Sequence, residues 1–227
     1  MHFRRTAILA LVLTAPAWAG SQSGLDSLLD RIDKAAAAFR GMSAHVRRVA
    51  HTAVINEDDV DSGTILVKRP HPRDLRMLIE VTEPARKTVS FEDHKVEIYY
   101  PKLQTVEEYD VGKSRELVDQ FFLLGFGTSR ADLLASYTLR LGGPQTVNGQ
   151  KTECLELIPK SKEVLEHLTR FEMWVGADGY PVQQKFYLPG GDYQLATYSD
   201  IKINPGLPDS ALKLRLPKNV KREYPQR

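Results

Sequence analysis

The stretch that most constrains this chain is residues 170–208, where apolar and polar side chains alternate between regularly spaced turns. Phe171, Met173 and Val175 are separated by one residue each. Turn sequences rich in Gly, Pro and Asp divide the stretch into three strand-like runs, at residues 171–175, 182–188 and 193–203. Alternation with period two and Gly-rich turns are typical of antiparallel strands. The stretch therefore predicts a meander with one apolar face, which another part of the chain must cover.

The first 19 residues predict a cleaved signal peptide. Two arginines precede an apolar run at residues 7–12, and Ala17-Trp18-Ala19 has the small-x-small pattern of a cleavage site. The apolar run is shorter than the ~20 residues of a membrane span. We expect export to the periplasm and one mature domain, residues 20–227; the alternative is an uncleaved N-terminal anchor.

Intact-mass measurement of the exported protein should show a chain that begins at Gly20 or within a residue or two of it. The basic start and the small-residue site motivate this expectation. A mature mass that retains Met1 would contradict it.

Composition and motifs argue against several functions. The formal charge is +2, and removal of Arg4 and Arg5 gives 2 − 2 = 0, whereas nucleic-acid binders are basic. The sequence has no G-x-S-x-G, H-E-x-x-H or P-loop motif, and His45 and His51 have no third ligand at metal-site spacing. We expect no enzyme activity, metal or cofactor. The enzyme alternative requires a polar cleft with paired titratable groups.

Cys154 is the only cysteine, so no intramolecular disulfide can form. It lies in a strand-like run, which favours a small apolar residue of a sheet over a reactive thiol.

The rest of the chain predicts a helix followed by many short strands. Apolar residues have helical spacing over residues 25–39, and Gly41 is expected to end that helix. Residues 56–63 predict a polar turn, and residues 212–216 a last edge strand. The other strand-like runs are at residues 44–54, 64–68, 75–81, 88–91, 96–100, 103–109, 137–141 and 151–158. Their regular spacing predicts one continuous sheet or open barrel.

Residues 113–136 interrupt the strand pattern. Their apolar residues have helical spacing, and a Gly-Phe-Gly sequence at residues 125–127 divides them into two short helices. Thr128 or Ser129 can cap the second helix. Helices this apolar are expected to lie on the apolar face of the sheet. Two interpretations stay open: a cover that can lift, or an ordinary helix layer over a permanent core.

These features together resemble the periplasmic outer-membrane lipoprotein carriers of the LolA type. The resemblance spans nearly the whole mature chain, and its most specific element is Val67-Lys68-Arg69-Pro70. The N-terminal amphipathic helix, Tyr100-Pro101, the apolar helices around residues 121–134 and the Trp174 motif add to it. Two departures concern the cavity: residues 95–100 lack a tryptophan often found there, and residues 75–77 replace a more aromatic run.

The resemblance implies an α+β fold, an incomplete antiparallel β-barrel with a helical lid over its concave apolar face. In such carriers the arginine of the Lys-Arg-Pro element, here Arg69, donates hydrogen bonds to lid carbonyls and holds the empty lid shut. The alternative for Arg69 is a strand-end surface arginine. The residues expected to line a lipid-binding cavity are Leu25, Leu28, Phe39, Leu75, Met77, Ile79, Phe121, Phe122, Leu124, Phe126 and Leu134.

The function implied is that of a monomeric periplasmic carrier. It would bind acyl chains of lipoproteins or related lipids, take them from an inner-membrane donor complex and deliver them to an outer-membrane acceptor. The alternative is an envelope lipid or stress sensor of the same fold that acts through a protein partner.

Overall fold

Twelve strands in one sheet dominate the structure, a computed structural model that describes residues 18–71, 74–112 and 124–226. Its described helices are α1 (Trp18–Ala38), α2 (Arg130–Ser136) and α3 (Lys162–Leu165). The strands are β1 (Gly41–Thr52), β2 (Glu57–His71), β3 (Asp74–Glu83), β4 (Lys87–Glu92), β5 (Lys95–Tyr100), β6 (Thr105–Asp110), β7 (Tyr137–Val147), β8 (Gln150–Pro159), β9 (Arg170–Val175), β10 (Pro181–Tyr187), β11 (Tyr193–Ile203) and β12 (Lys221–Glu223).

The sheet is open. Its order is β12-β6-β5-β4-β3-β2-β1-β11-β10-β9-β8-β7, and within the described residues β12 and β7 do not pair with each other. All neighbours are antiparallel except β12 and β6, which are parallel. The prediction of an incomplete antiparallel barrel is therefore confirmed as a large unclosed sheet, and the predicted meander forms β9 to β11.

Helix α1 crosses one face of this sheet and joins two hydrophobic cores. Leu28 and Ile32 pack in the first core, over β7 to β9. Ala35 and the following Phe39 pack in the second core, over β1 to β3. All four side chains are buried, which agrees with the helical spacing seen in the sequence.

The end of α1 is held by a side chain that directly follows β11, the strand that pairs with β1. Asn204 Oδ1 accepts hydrogen bonds from the backbone N–H groups of Arg40 (2.7 Å) and Gly41 (3.2 Å), and its Nδ2 donates to the carbonyl of Ala38 (2.9 Å). The helix thus ends three residues before Gly41, which instead begins β1. A Cβ at Gly41 would collide with the backbone oxygen of Val67.

Helix α2 is docked on α1 by charge. Ser129 caps it, as predicted, and forms a capping box with the third residue of the helix. The guanidinium of Arg130 donates to Asp26 and Asp30 of α1, each at 2.6 Å, and Leu133 is fully buried in the first core. The first of the two predicted short helices falls outside the described residues, as does most of the predicted signal peptide.

The acidic stretch predicted as a turn at residues 56–63 is strand instead. β2 begins at Glu57, and the turn is confined to residues 53–56. Asp58 and Asp61 lie opposite His51 and Arg48 across the β1–β2 pair: Asp61 forms an ion pair with Arg48, and Asp58 lies within hydrogen-bond distance of His51 Nδ1 (2.7 Å). Cross-strand pairing with basic partners satisfies these acids within a regular ladder.

The predicted edge strand at residues 212–216 is also wrong. The chain must pass from β11 to β12, beyond β6, and so it crosses the sheet instead of pairing with an edge. Asp209 pairs with Lys68 of β2 and with Arg76 of β3 (3.5 Å) on the way, and Leu212 is buried. The sheet is extended later, by β12.

Candidate functional site

An apolar cavity of about 580 Å³ lies against the strands on the α1 side of the sheet. β1 to β5, β10 and β11 supply its walls, because side chains two residues apart along a strand share a face. Along β1 it extends from Met42 to Arg48, about 20 Å at the usual rise per residue. Its apolar and aromatic wall residues are Met42, Val46, Ile65, Val67, Met77, Ile79, Val81, Val89, Ile98, Tyr100, Phe126, Phe186, Leu188, Ala196 and Tyr198.

One end of the cavity is filled by residues 124–127, here named the plug segment. The Phe126 ring is buried, with ring centroids 5.9 Å from Phe39, 6.4 Å from Tyr180 and 5.6 Å from Tyr198, the last edge-on. Phe126 therefore belongs both to the second core and to the cavity wall. Movement of this ring would change the size of the cavity directly.

Two side chains hold the backbone of the plug segment. Arg69 Nη1 donates to the carbonyl oxygen of Gly127 at 2.6 Å. Gln184 Nε2 donates to the carbonyl oxygen of Leu124, and its Oε1 accepts from the Tyr198 hydroxyl at 2.6 Å. The segment is thus fixed to β2 at one end and to β10 at the other.

Gly127 is required by the contact with Arg69. Its φ is +91°, a conformation that costs glycine little and other residues more. In addition, the guanidinium of Arg69 occupies the space where a Cβ would lie. A larger residue at this position would displace Arg69 from the carbonyl.

The cavity wall carries charge at one place, near the β1–β2 turn. Arg48 Nε donates to Asp61 at 3.1 Å, and Lys87 Nζ lies 3.5 Å from the same carboxylate. Burial acts to raise the pKa of Asp61, but the hydrogen bond from Arg48 and the nearby Lys87 outweigh it, and the pKa lies below its ordinary value. The group is therefore an ionised cluster of two cations and one anion.

The structure places the predicted cavity residues in different surroundings. Met77, Ile79 and Phe126 line the cavity. Phe39 and Leu75 are buried beside it in the second core. These two do not line it, and neither do the other four: Leu28 and Leu124 are buried in the first core, Leu25 packs against that core, and Leu134 is 44% exposed on α2. Phe121 and Phe122 lie outside the described residues.

Several wall residues were missed by the sequence analysis. Val46 and Ile65 have the alternation of half-buried strands, and this signal could have placed them on the same face as Met77. Gln184 had no distinct signal, because it lies between two other polar residues, Gln183 and Lys185; the structure shows that it is only 3% exposed. Buried amides are normally hydrogen-bonded, so a structural partner could have been expected.

The chemistry of the site suits binding. Within the described ranges no group of three or more His, Cys, Asp or Glu side chains could hold a metal ion. Burial raises the pKa of the Cys154 thiol to about 11, so it is a poor nucleophile at neutral pH. Burial also raises the pKa of Tyr198 in the cavity wall. In the part of the chain that is described, no helix is both long and apolar enough to span a membrane.

Comparisons with known proteins find similar folds among solved structures. Neither a scan of protein-family models nor a search of the curated proteins finds a match. Among solved structures, MucB is 16% identical with a TM-score of 0.54, over 88% of this chain and 66% of MucB. An uncharacterized conserved protein from Thermus thermophilus is 16% identical with a TM-score of 0.53, over 88% of this chain and 99% of that one.

A LolA superfamily protein from Nitrosomonas europaea is also similar, with 15% identity, a TM-score of 0.40 and coverage of 83% of this chain and 97% of that one. The chain thus spans about two thirds of MucB and nearly the whole Thermus protein. The open-sheet fold expected from the sequence is confirmed: this chain has the open-sheet architecture of MucB and the Thermus protein.

Proposed function

We propose that this protein is a periplasmic carrier that binds acyl chains in its apolar cavity. The observation that carries the proposal is the cavity itself, about 580 Å³ with walls of aliphatic and aromatic side chains. That volume is within the range of about 300–1,000 Å³ of small-molecule sites. Soluble proteins normally fill such a space with side chains.

An acyl chain is the ligand that such walls favour. Each methylene removed from water contributes about 0.8 kcal/mol. A cavity that extends about 20 Å along β1 can accept many methylenes in a row. An acyl chain inside the cavity can therefore cross the aqueous compartment between membranes without exposing its methylenes to water.

The plug segment and α2 are proposed to act as the lid of the carrier. When the cavity is empty, Phe126 fills one end and Arg69 holds Gly127. A chain longer than the space beside Phe126 displaces the ring when it enters, so closing and cargo binding compete. This competition weakens net binding and lets an acceptor take the cargo without an energy source.

Delivery is the finer part of the proposal. We propose that the cargo is the acyl group of a lipoprotein or a related lipid, taken from an inner-membrane donor and passed to an outer-membrane acceptor. The alternative is a sensor of lipid state that acts through a protein partner; MucB, whose fold this chain shares, has also been solved in complex with MucA.

A fluorescent fatty-acyl probe should bind to the purified protein, and a lipopeptide should displace it. The apolar wall predicts a blue shift and an increase in probe emission, because the probe leaves water. Absence of binding at every reachable concentration would contradict the carrier. Binding without transfer to acceptor membranes would favour the sensor.

A further inference from the structure

The charged end of the cavity is assembled from three strands. Arg48 of β1 lies opposite Asp61 of β2 in the antiparallel register, and Lys87 begins β4 two strands away. All three side chains line the same cavity as the apolar wall. The side chains of Arg48 and Lys87 are 39% and 30% exposed, so this end of the cavity reaches solvent.

The cluster has more donors than its own carboxylate uses. Arg48 directs Nε and Nη2 to Asp61, and a guanidinium offers five N–H groups. The ammonium group of Lys87 offers three more N–H donors, and its Nζ lies 3.5 Å from Asp61. The three charged groups that line the cavity have a formal charge of +1, two cations and one ionised carboxylate, and Asp59, outside the lining, also acts on Arg48. Asp61 holds both cations at the cavity, and the remaining donors are suited to an anion.

We propose that Arg48 and Lys87 bind the anionic headgroup of the lipid whose acyl chain occupies the cavity. This inference rests on the proposed carrier function and specifies its substrate as an amphiphile with a phosphate or carboxylate head. The apolar wall then takes the chain, and the charged end takes the head. A cation pair beside an apolar groove has both parts that such a molecule requires.

Other parts of the cavity do not provide this chemistry. At the end near Met42, polar contact comes from Gln184, whose amide is already used by Leu124 and Tyr198. Arg69, nearby, donates to Gly127. An anionic head is therefore expected at the Arg48 end, with the acyl chain extending toward Phe126.

Two probes with the same fluorescent acyl chain test the inference: a lysophosphatidic acid and a neutral monoacylglycerol. The protein should bind the phosphate-bearing probe about tenfold more tightly, the effect of one charge-assisted hydrogen bond. Salt should reduce that preference, because the site is partly exposed. Inorganic phosphate at millimolar concentration identifies the source of the anion: if it displaces the phosphate-bearing probe, free phosphate is also a ligand.

Variants separate the headgroup site from the acyl cavity. Lys87→Met keeps the pair of Arg48 with Asp61 and should weaken binding of the phosphate-bearing probe several-fold more than binding of the neutral probe. Asp61→Asn should increase the preference for the phosphate-bearing probe over the neutral probe. Lys95→Met is the matched control, since Lys95 pairs with Glu108 and does not line the cavity.

The outcomes distinguish the two proposals. Equal binding of both probes by the unaltered protein would overturn the headgroup site and leave the acyl carrier intact. A preference for the phosphate-bearing probe that survives Lys87→Met and Arg48→Met would also overturn it. Failure of both probes to bind would overturn the proposed function itself.

Discussion

Replacement of Arg69 by leucine should tighten acyl-probe binding about ten- to hundredfold and slow transfer to acceptor membranes. The bond from Arg69 Nη1 to the Gly127 carbonyl, 2.6 Å long, joins a charged donor to the plug segment, and such bonds contribute about 1.5–3 kcal/mol. Its loss destabilises the empty covered state and leaves the loaded state unchanged. The free energy of probe binding then becomes more favourable by the stability that the closed, empty state has lost.

Two further variants make the Arg69 result specific. Gly127→Ala should reproduce it, because a Cβ there would displace the guanidinium. Lys68→Leu should change little, because Lys68 pairs with exposed Asp209 outside the cavity. Probe affinity and release to vesicles should move in opposite directions only in Arg69→Leu and Gly127→Ala. Unchanged or weaker probe binding in Arg69→Leu would refute the latch.

Ala196→Phe should abolish acyl-probe binding and leave the free energy of unfolding within about 1 kcal/mol of the original. Ala196 is a small residue of β11 in the cavity wall, so a larger side chain there enters empty space. A larger side chain destabilises a core that is already full, whereas the space beside Ala196 is empty. Probe titration and urea unfolding of the same variant measure the two effects separately.

Ala85→Phe, in the exposed turn between β3 and β4, is the matched control and should bind the probe normally. Normal probe binding by Ala196→Phe would mean that the acyl chain binds elsewhere. A loss of several kcal/mol of stability would instead mean that residue 196 is closely packed and the space beside it is filled.

The elements that the sequence predicted well are those in which one local pattern decides the structure. α1 has a continuous apolar stripe, and β9 to β11 alternate between Gly-rich turns, so periodicity determined both. The acidic residues after Asn56 form a strand instead of the predicted turn, because their basic partners, Arg48 and His51, lie on the neighbouring strand. Residues 212–216 have a strand-like pattern, but they lie where the chain crosses the sheet between β11 and β12 and are not a strand.

The candidate site was harder to predict than the fold. Leu28 and Met77 are both apolar residues on the covered side of the sheet, yet one lies in a filled core and the other at a cavity. The difference depends on how far α1 and the plug segment extend over the strands, which is a tertiary property. Arg69 came from resemblance alone, and its contact with Gly127 is visible only in three dimensions.

Photo-crosslinking tests the central claim, an acyl chain inside the cavity, most directly. A fatty acid with a diazirine at its terminal carbon should label wall residues such as Met77, Ile79 and Phe126, and unlabelled fatty acid should prevent this. Mass spectrometry of the digested protein then locates the adduct. Labelling confined to exposed apolar residues, such as Val54 and Leu103 at the hairpin tips, would contradict the account.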